Sequence, residues 1–294
     1  MTTTTRTTIT TDNAPSRAAI VYDFDGTLAR GNIQEHTFLP ELGVDKDVFW
    51  AEVGRLKREH DADQILVYMW WMLQQARAKG VTVSKEMLRK HGSATPLYEG
   101  LEGPNSWFDR INAYAAAHGQ ALEHYIVSSG NREIIEGCEI FGRFARVFAS
   151  QFIYDAAGAA VWPGVAINYT TKTQFLFRIN KGVTNSWDDA AVNRWQPMNE
   201  RPVPFTRMIF IGDGDTDIPS MKMVRHQGGY SIAVFDEADW REKRSKEKLH
   251  RLIAEDRAHF VAPANYTDGS QLDVIVRGIL GRFAIEAGHR GDET

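Results

Sequence analysis

The chain has a single cysteine and lacks any long apolar run. Of its 294 residues only Cys138 carries a thiol, so no disulfide can form within the chain, a pattern typical of a reducing compartment. No apolar run approaches the roughly 18 residues that a membrane helix needs. Residues 1–16 are rich in threonine and lack the apolar segment of a signal peptide. We therefore expect a cytoplasmic protein without membrane contact, and a disordered tail over residues 1–16.

A strong charge of either sign is also missing. The net charge of −4 and the pI near 6.2 leave no electrostatic reason to expect binding to nucleic acid. A hydrophobic content of 43% and a charged content of 24% are typical of a globular protein with a buried core. The composition does not determine an oligomeric state, which stays open.

What the chain does have is an alternation of strand and helix patterns. A short apolar run at residues 18–22 predicts a buried strand. Residues 32–100 carry helical patterns without a strand signal, and beyond them strands and helices alternate. This order predicts an α/β fold, a Rossmann-like, doubly wound parallel sheet with a second, smaller all-helical domain. The core would comprise residues 17–31 and 101–290, the helical domain residues 32–100, and the proline-containing residues 182–205 a surface insertion.

Three segments of the core matter for the site. "LEHYIVSSG" predicts a strand that ends in small polar residues, and "NREIIEGCEIFG" predicts the helix after it. "TTKTQFLFRIN" predicts a later helix, which follows an extended hairpin and is capped by one of its two threonines.

Polar side chains stand at the ends of three predicted strands. They are Asp23 and Asp25, then Ser128 and Ser129, and finally Asp213 with Asp217. Ligands of an open α/β sheet bind at the carboxyl ends of its strands. Two acidic loops that converge there repel each other unless a divalent cation lies between them, and a site with only oxygen ligands suits Mg²⁺. One carboxylate can then attack phosphorus while another transfers a proton.

Taken singly, each feature also has an ordinary structural explanation. Two aspartates one residue apart often form a turn or a helix cap, "SSG" is often a helix N-cap, and a lysine at a helix start is usually solvated. "GDGDTD" is also compatible with an acidic calcium loop, but a 12-residue loop that begins at Asp213 has Val224 in its last place instead of glutamate. Their shared position at strand ends is what favours an active site.

Together these motifs resemble those of the haloacid dehalogenase superfamily, in particular its Mg²⁺-dependent phosphatases. "DFDGT" at residues 23–27 is similar to the first motif, "YIVSSG" to the second, and "GDGDTD" at residues 212–217 to the fourth. The third motif is a single lysine. We assign it to Lys172, at the start of its predicted helix, over Lys181, which falls near the end of that helix.

The resemblance implies a role for each matching residue. Asp23 would be the nucleophile and a Mg²⁺ ligand, and Asp25 the general acid and base, with its backbone carbonyl on the metal. Asp213 would bind the metal and Asp217 would support it. The implied phosphate contacts are Thr27, Ser128, Ser129 and Lys172. Because the family's dehalogenases and phosphonate-cleaving members lack the second aspartate, Asp25 favours phosphate esters.

The family resemblance also assigns the helical segment to a cap of the C1 type. Such a cap covers the cleft and suits a small phosphorylated metabolite as substrate. The order of elements is similar to the phosphoserine phosphatase-like branch, but that branch has a substrate-binding glutamate where this chain has Asn32. The candidate substrate contacts after the first motif are Arg30, Asn32, Gln34, Glu35 and His36, of which we expect one or two to touch the substrate. An aromatic cradle for the substrate is one reading of Trp50, Tyr68, Trp70 and Trp71. We expect them instead to pack helices together, as aromatic residues at helical spacing usually do.

The expected activity is Mg²⁺-dependent hydrolysis of a phosphomonoester through an aspartyl-phosphate. Two alternatives remain open. The same aspartyl-phosphate would serve a phosphotransferase or phosphomutase, and the same fold would serve a catalytically silent binding protein. The retention of several like charges in one cleft favours an enzyme over the silent protein.

Overall fold

The computed structural model describes residues 15–238 and 243–291. Residues 1–14 of the predicted tail lie outside the described residues, and the first strand begins at Ser16. The strands are β1 (Ser16–Tyr22), β2 (Gln120–Asn131), β3 (Arg146–Tyr154), β4 (Ala160–Val165), β5 (Met208–Gly212), β6 (Tyr230–Phe235) and β7 (Phe260–Pro263). They form one sheet in the order β4-β3-β2-β1-β5-β6-β7, in which only β4 is antiparallel to its neighbour. The predicted α/β fold with a doubly wound sheet is confirmed.

Helices cover both faces of this sheet and fill the segment after β1. They are α1 (Phe38–Glu41), α2 (Lys46–Glu59), α3 (Gln64–Ala78), α4 (Lys85–Gly92), α5 (Trp107–Ala117), α6 (Arg132–Ile135), α7 (Lys172–Lys181), α8 (Asp189–Asn193), α9 (Ile218–His226), α10 (Lys243–Ala254) and α11 (Gln271–Gly291). The first four lie within residues 32–100, where helices were predicted. The division of the chain into a core and a separate cap stays a prediction.

The central strand β1 is buried on both faces because helices cover each of them. Its residues 18–22 have no exposed surface, as the continuous apolar run predicts for a parallel strand. Ile20 and Tyr22 belong to one apolar cluster, which also contains the buried residues of α1–α4. Ala19 and Val21 belong to a second cluster on the other face. Burial on both faces holds the end of β1 in place, and with it the acidic loop that follows.

Two glycines bring α4 into backbone contact with the chain after α6. A Cβ on Gly92 would collide with the carbonyl oxygen of Ile134, and one on Gly137 with that of Arg89. This contact explains a departure from the sequence prediction. "NREIIEGCEIFG" does not form one helix but the short α6 and a 3-10 turn at Glu139–Arg143, since the chain turns away at Gly137.

The predicted insertion at residues 182–205 contains the short helix α8 and is attached to α7. The buried guanidinium of Arg178 donates to the carbonyl oxygens of Asn185, Ser186 and Asp188. Lys181 Nζ donates to those of Val192 and Arg194, at 2.6 and 2.8 Å. Within residues 15–238 and 243–291, no helix combines the length and apolarity needed to cross a membrane.

Candidate active site

A cavity of about 390 Å³ opens at the carboxyl ends of β1, β2 and β5. Its base is formed by the loops that follow these strands, and Asp23, Asp25 and Asp213 lie on it. The opposite wall comes from the turn after β1 and from helices α2 and α3. The parallel sheet therefore brings the predicted acidic loops to one place, since their strands are neighbours.

Behind this base lies a buried lysine between two aspartates. Lys172 Nζ is 2.9 Å from Asp23 Oδ2 and 2.6 Å from Asp217 Oδ1. Both Lys172 and Asp217 have no exposed surface. Lys181, the alternative for the active-site lysine, lies at the other end of α7 and bonds to the insertion. The geometry thus places Lys172, and not Lys181, beside Asp23.

Short-range backbone geometry positions the acidic groups. The backbone N–H of Phe24 donates to Asp23 Oδ1 at 2.7 Å, and that of Gly214 donates to Asp217 Oδ2 at 3.2 Å. Gly26 has φ +71°, and a Cβ there would lie only 2.5 Å from Asp213 Oδ2. Only glycine combines this backbone conformation with such a close approach, so the turn of "DFDGT" makes room for the aspartate of the other loop.

Burial and mutual repulsion favour the protonated forms of the Asp23 and Asp25 carboxyl groups. Burial, followed by the charge of Asp217, raises the pKa of Asp23 to about 7, although Lys172 acts against it. Burial, followed by the charge of Asp23, raises the pKa of Asp25 well above its ordinary value. Burial opposes the charged form of Lys172, but Asp217 and Asp23 raise its pKa above the ordinary value. The cluster has more carboxylates than cations and is stabilised by whatever positive charge enters it.

The donor atoms fit a hard divalent cation. Asp23, Asp213 and Asp217 each offer a carboxylate oxygen, and these atoms lie within 4.8 Å of one another. A set of oxygen donors with an adjoining cavity is suited to Mg²⁺. Asp217 also accepts from Lys172 and Gly214, which fixes the direction of its carboxylate.

The predicted phosphate contacts divide into two groups. Ser128 and Ser129 lie on the cavity wall. Ser128 Oγ accepts from Gly130 N at 3.0 Å, which leaves its own proton to be donated. Ser129 Oγ is buried and has no hydrogen-bond partner among the described residues. Thr27 and Lys172 are fully buried and do not line the cavity.

Of the five predicted substrate contacts, the structure places only Asn32 and Gln34 on the cavity wall within the described residues. Arg30 pairs with Asp236 and lies 4.5 Å from the centre of the Tyr98 ring. His36 Nε2 donates to the carbonyl oxygen of Arg30 at 2.6 Å. Glu35 lies behind the wall, where its Oε1 accepts from Asn32 and Trp50.

Several wall residues were not identified from the sequence. Trp50 and Tyr68 were expected to pack helices in preference to forming a cradle for the substrate, and they do contact each other, with ring centroids 5.8 Å apart. Both also line the cavity, so the less favoured reading applies as well. Gln64 and Ile65 are the wall residues of this segment that were missed. The one available signal was their position on helices after the first motif, which does not distinguish a cavity wall from a core.

The chain is similar to several known proteins. The family model described as haloacid dehalogenase-like hydrolase matches residues 20–222. An uncharacterized protein of Borreliella burgdorferi is 27% identical over 275 residues, which cover 86% of this chain and 93% of that protein.

The fold is similar to those of solved hydrolases. A haloacid dehalogenase family hydrolase of Salmonella enterica serovar Typhi has a TM-score of 0.54 at 15% identity, with 90% of this chain and 72% of that one covered. A phosphoserine phosphatase with an analogue of its phospho-aspartyl intermediate has a TM-score of 0.50 at 16% identity, with 90% and 99% covered. At this identity the likeness concerns the fold alone. Since the family model spans more than half of the chain and includes both acidic loops, the chain belongs to the haloacid dehalogenase-like hydrolases.

Proposed function

We propose that this hydrolase is a Mg²⁺-dependent phosphomonoesterase that acts on a small phosphorylated metabolite through an aspartyl-phosphate at Asp23. One observation carries the proposal. Asp23 lies on the base of a cavity and is held from behind by Lys172 at 2.9 Å, and the second carboxyl group, that of Asp25, lies on the same base. A nucleophile with an adjacent acid is what transfer of a phosphoryl group requires.

In the first step a carboxylate oxygen of Asp23 forms a bond to phosphorus while the ester P–O bond breaks. The leaving oxygen takes a proton from Asp25. The raised pKa of Asp25 supports this role, because a general acid must hold its proton until the bond breaks. Its Oδ1 accepts from the N–H of Ile33 at 3.0 Å, which orients the carboxyl group.

In the second step water attacks the phosphorus of the aspartyl-phosphate. Asp25, now ionised, takes a proton from this water, and the P–O bond to Asp23 breaks to release inorganic phosphate. The Ser128 hydroxyl and the buried Ser129 hydroxyl would donate to the phosphoryl oxygens. Lys172 would stabilise the charge of Asp23 from behind, and Thr27 stays a predicted phosphate contact.

Asp23, Asp213 and the backbone carbonyl of Asp25 would hold Mg²⁺, with Asp217 in support. When bound, the ion supplies positive charge that reduces repulsion between the phosphate and the carboxylates. The fit of the three clustered carboxylates supports this assignment.

The test is release of inorganic phosphate from a panel of phosphomonoesters that includes p-nitrophenyl phosphate. We expect Asp23→Asn to lower kcat by about 10⁴-fold or more, and EDTA to stop turnover until Mg²⁺ is restored. Asp47→Asn, at an exposed position of α2, is the matched control and should behave as the parent protein.

A second pair of variants separates the two lysines. Lys172→Met should abolish turnover. Lys181→Met should leave it largely intact, because the bonds of that side chain to the described residues go to the insertion. Transfer of phosphate to a second hydroxyl without release would instead indicate a phosphotransferase. Binding of phosphate esters without turnover, in folded protein, would contradict an enzyme of either kind.

A further inference from the structure

The wall of the active-site cavity opposite the carboxylates carries no formal charge among the described side chains. Its polar members are three amides and its apolar members two aromatic rings and one aliphatic chain: Asn32, Gln34, Gln64, Trp50, Tyr68 and Ile65. This wall, referred to below as the neutral wall, faces the part of the substrate that leaves as the alcohol. An ionised group that enters it would lose water without gaining an opposite charge, which is unfavourable.

Two of the amides are oriented by charged residues behind the wall. Asn32 Nδ2 donates to Glu35 Oε1, so its Oδ1 is the atom left to accept from a substrate. Lys57 Nζ donates to Gln64 Oε1 at 2.6 Å, so Gln64 Nε2 is left to donate. The wall therefore presents one neutral acceptor and one neutral donor with defined directions.

The third amide adds an unsatisfied acceptor. Gln34 is 2% exposed and lines the cavity, and its Oε1 has no hydrogen-bond partner within residues 15–238 and 243–291. A buried carbonyl oxygen without a partner is rare in folded proteins. A hydroxyl group on the substrate would satisfy it.

The aromatic side chains have already used their polar atoms. Trp50 Nε1 donates to Glu35 Oε1 at 2.5 Å, and the Tyr68 hydroxyl donates to the carbonyl oxygen of Ser129 at 2.7 Å. What these two residues offer to a ligand is apolar ring surface. Ring surface beside neutral amides is complementary to a compound with C–H faces and several hydroxyl groups.

We infer that the substrate is a phosphate ester of an uncharged, hydroxyl-rich alcohol of sugar type, bound through the neutral wall. This inference rests on the proposed phosphatase activity and specifies its substrate class. It disfavours zwitterionic esters such as phosphoserine, since no described side chain of the wall would pair with an ammonium or a carboxylate group. A cavity of about 390 Å³ is of a size suited to one metabolite.

The experiment compares kcat/KM for glucose 6-phosphate, glycerol phosphate, phosphoserine and phosphoethanolamine, with p-nitrophenyl phosphate as a reporter of the chemical step. We expect glucose 6-phosphate to exceed both nitrogen-containing esters by about tenfold or more, the ratio expected when a charge is left unpaired. Thermal-shift binding of the same esters to Asp23→Asn should give the same order without turnover.

A charge placed on the wall should change this preference. Gln64→Glu removes the donor and adds an anion, and Lys57 and the first turn of α3 both tolerate an acidic residue at this position. The kcat/KM for phosphoethanolamine, divided by that for glucose 6-phosphate, should rise about tenfold. Each kcat/KM is first normalised to the value for p-nitrophenyl phosphate. Gln75→Glu on the same helix, outside the cavity, is the matched control and should leave the ratio unchanged.

The outcomes separate the two proposals. Hydrolysis of p-nitrophenyl phosphate together with a preference for phosphoserine or phosphoethanolamine would overturn the substrate class and leave the phosphatase intact. An unchanged ratio in Gln64→Glu would likewise overturn recognition by the neutral wall. Failure to hydrolyse any ester would overturn the proposed function and this inference with it.

Discussion

At the scale of single residues, a chain of hydrogen bonds with one allowed direction supports the strand that carries Asp23. Trp107 Nε1 donates to the Tyr22 hydroxyl at 2.8 Å, since an indole N–H can donate a hydrogen bond but cannot accept one. Burial lowers the pKa of His124 and keeps its ring neutral. Its Nε2 lies 3.1 Å from the acceptor Asn112 Oδ1 and carries the proton, so Nδ1 accepts from the Tyr22 hydroxyl at 3.0 Å.

This arrangement makes stability depend on pH. Burial lowers the pKa of His124 from 6.5 to about 3, so between these values only the unfolded chain takes up the proton. Stability therefore falls as pH decreases from 6.5 towards 3 and is unaffected by this group above about 7. From pH 7 to pH 5 the contribution lost is about 2 kcal/mol.

Urea unfolding at pH 7 and pH 5 measures the effect. The free energy of unfolding of the parent protein should fall by about 2 kcal/mol more than that of His124→Gln, which does not titrate. Equal losses in the two proteins would show that His124 is not buried in the neutral form.

At the scale of elements, one side chain connects the helical segment to the loop before the lysine helix. Asn168 Oδ1 accepts from the backbone N–H groups of Thr170 and Thr171 at the start of α7. Its Nδ2 donates to Asp63 Oδ2 at 2.7 Å, and Asp63 is the N-cap of α3. Thr171 is the N-cap of α7, as one of the two predicted alternatives, but its side chain does not accept from the helix. The N–H groups of Thr173 and Gln174 donate instead to the carbonyl oxygens of Thr170 and Thr171. The position of α3 over the cavity is thus tied to the element that carries Lys172.

A double-mutant cycle tests this connection. Asn168→Asp keeps the acceptor for α7 but places a carboxylate against Asp63, and we expect kcat/KM to fall about tenfold. Asp63→Asn still caps α3 but loses the bond and should show a smaller fall. The double variant restores a donor and an acceptor with exchanged roles and should recover most of the activity. Additive losses would indicate that the two residues act separately.

At the scale of the whole molecule, the buried carboxylate cluster is a local excess of negative charge in a protein of net charge −4. Three of the carboxylates lie close enough to bind one ion, and Lys172 compensates only part of their charge. A cation that binds the folded chain and not the unfolded chain stabilises the whole protein by mass action.

Mg²⁺ should therefore raise the melting temperature even without substrate. At a concentration 100 times Kd the gain is about 2.7 kcal/mol, which corresponds to roughly 4 °C for a chain of this length. Differential scanning calorimetry at constant ionic strength measures it. Asp213→Asn should lose the shift and Asp47→Asn should retain it; a shift that persists in Asp213→Asn would place the ion elsewhere.

Features that depend on neighbouring residues could be predicted from the sequence. The apolar run before "DFDGT" identified β1 because burial on both faces leaves no polar alternation. The proximity of Asp23 and Asp213 could be predicted as well, since parallel strands of one sheet end at the same edge. The resemblance of these loops to family motifs assigned the chain to its superfamily, because each motif is a short, contiguous stretch.

Features that depend on contacts between distant segments could not be predicted from the sequence. Helical periodicity shows that a face is buried, but it does not show whether that face meets the core or a cavity, so for Trp50 and Tyr68 helix packing was preferred over a substrate cradle. The pairing of Asn168 with Asp63 and the break of a predicted helix at Gly137 likewise arise between residues far apart in the chain. The sequence by itself determined the fold and the acidic base of the site, since both are encoded in local patterns. The tertiary structure alone decided the neutral wall, because its residues acquire their neighbours only when the chain has folded.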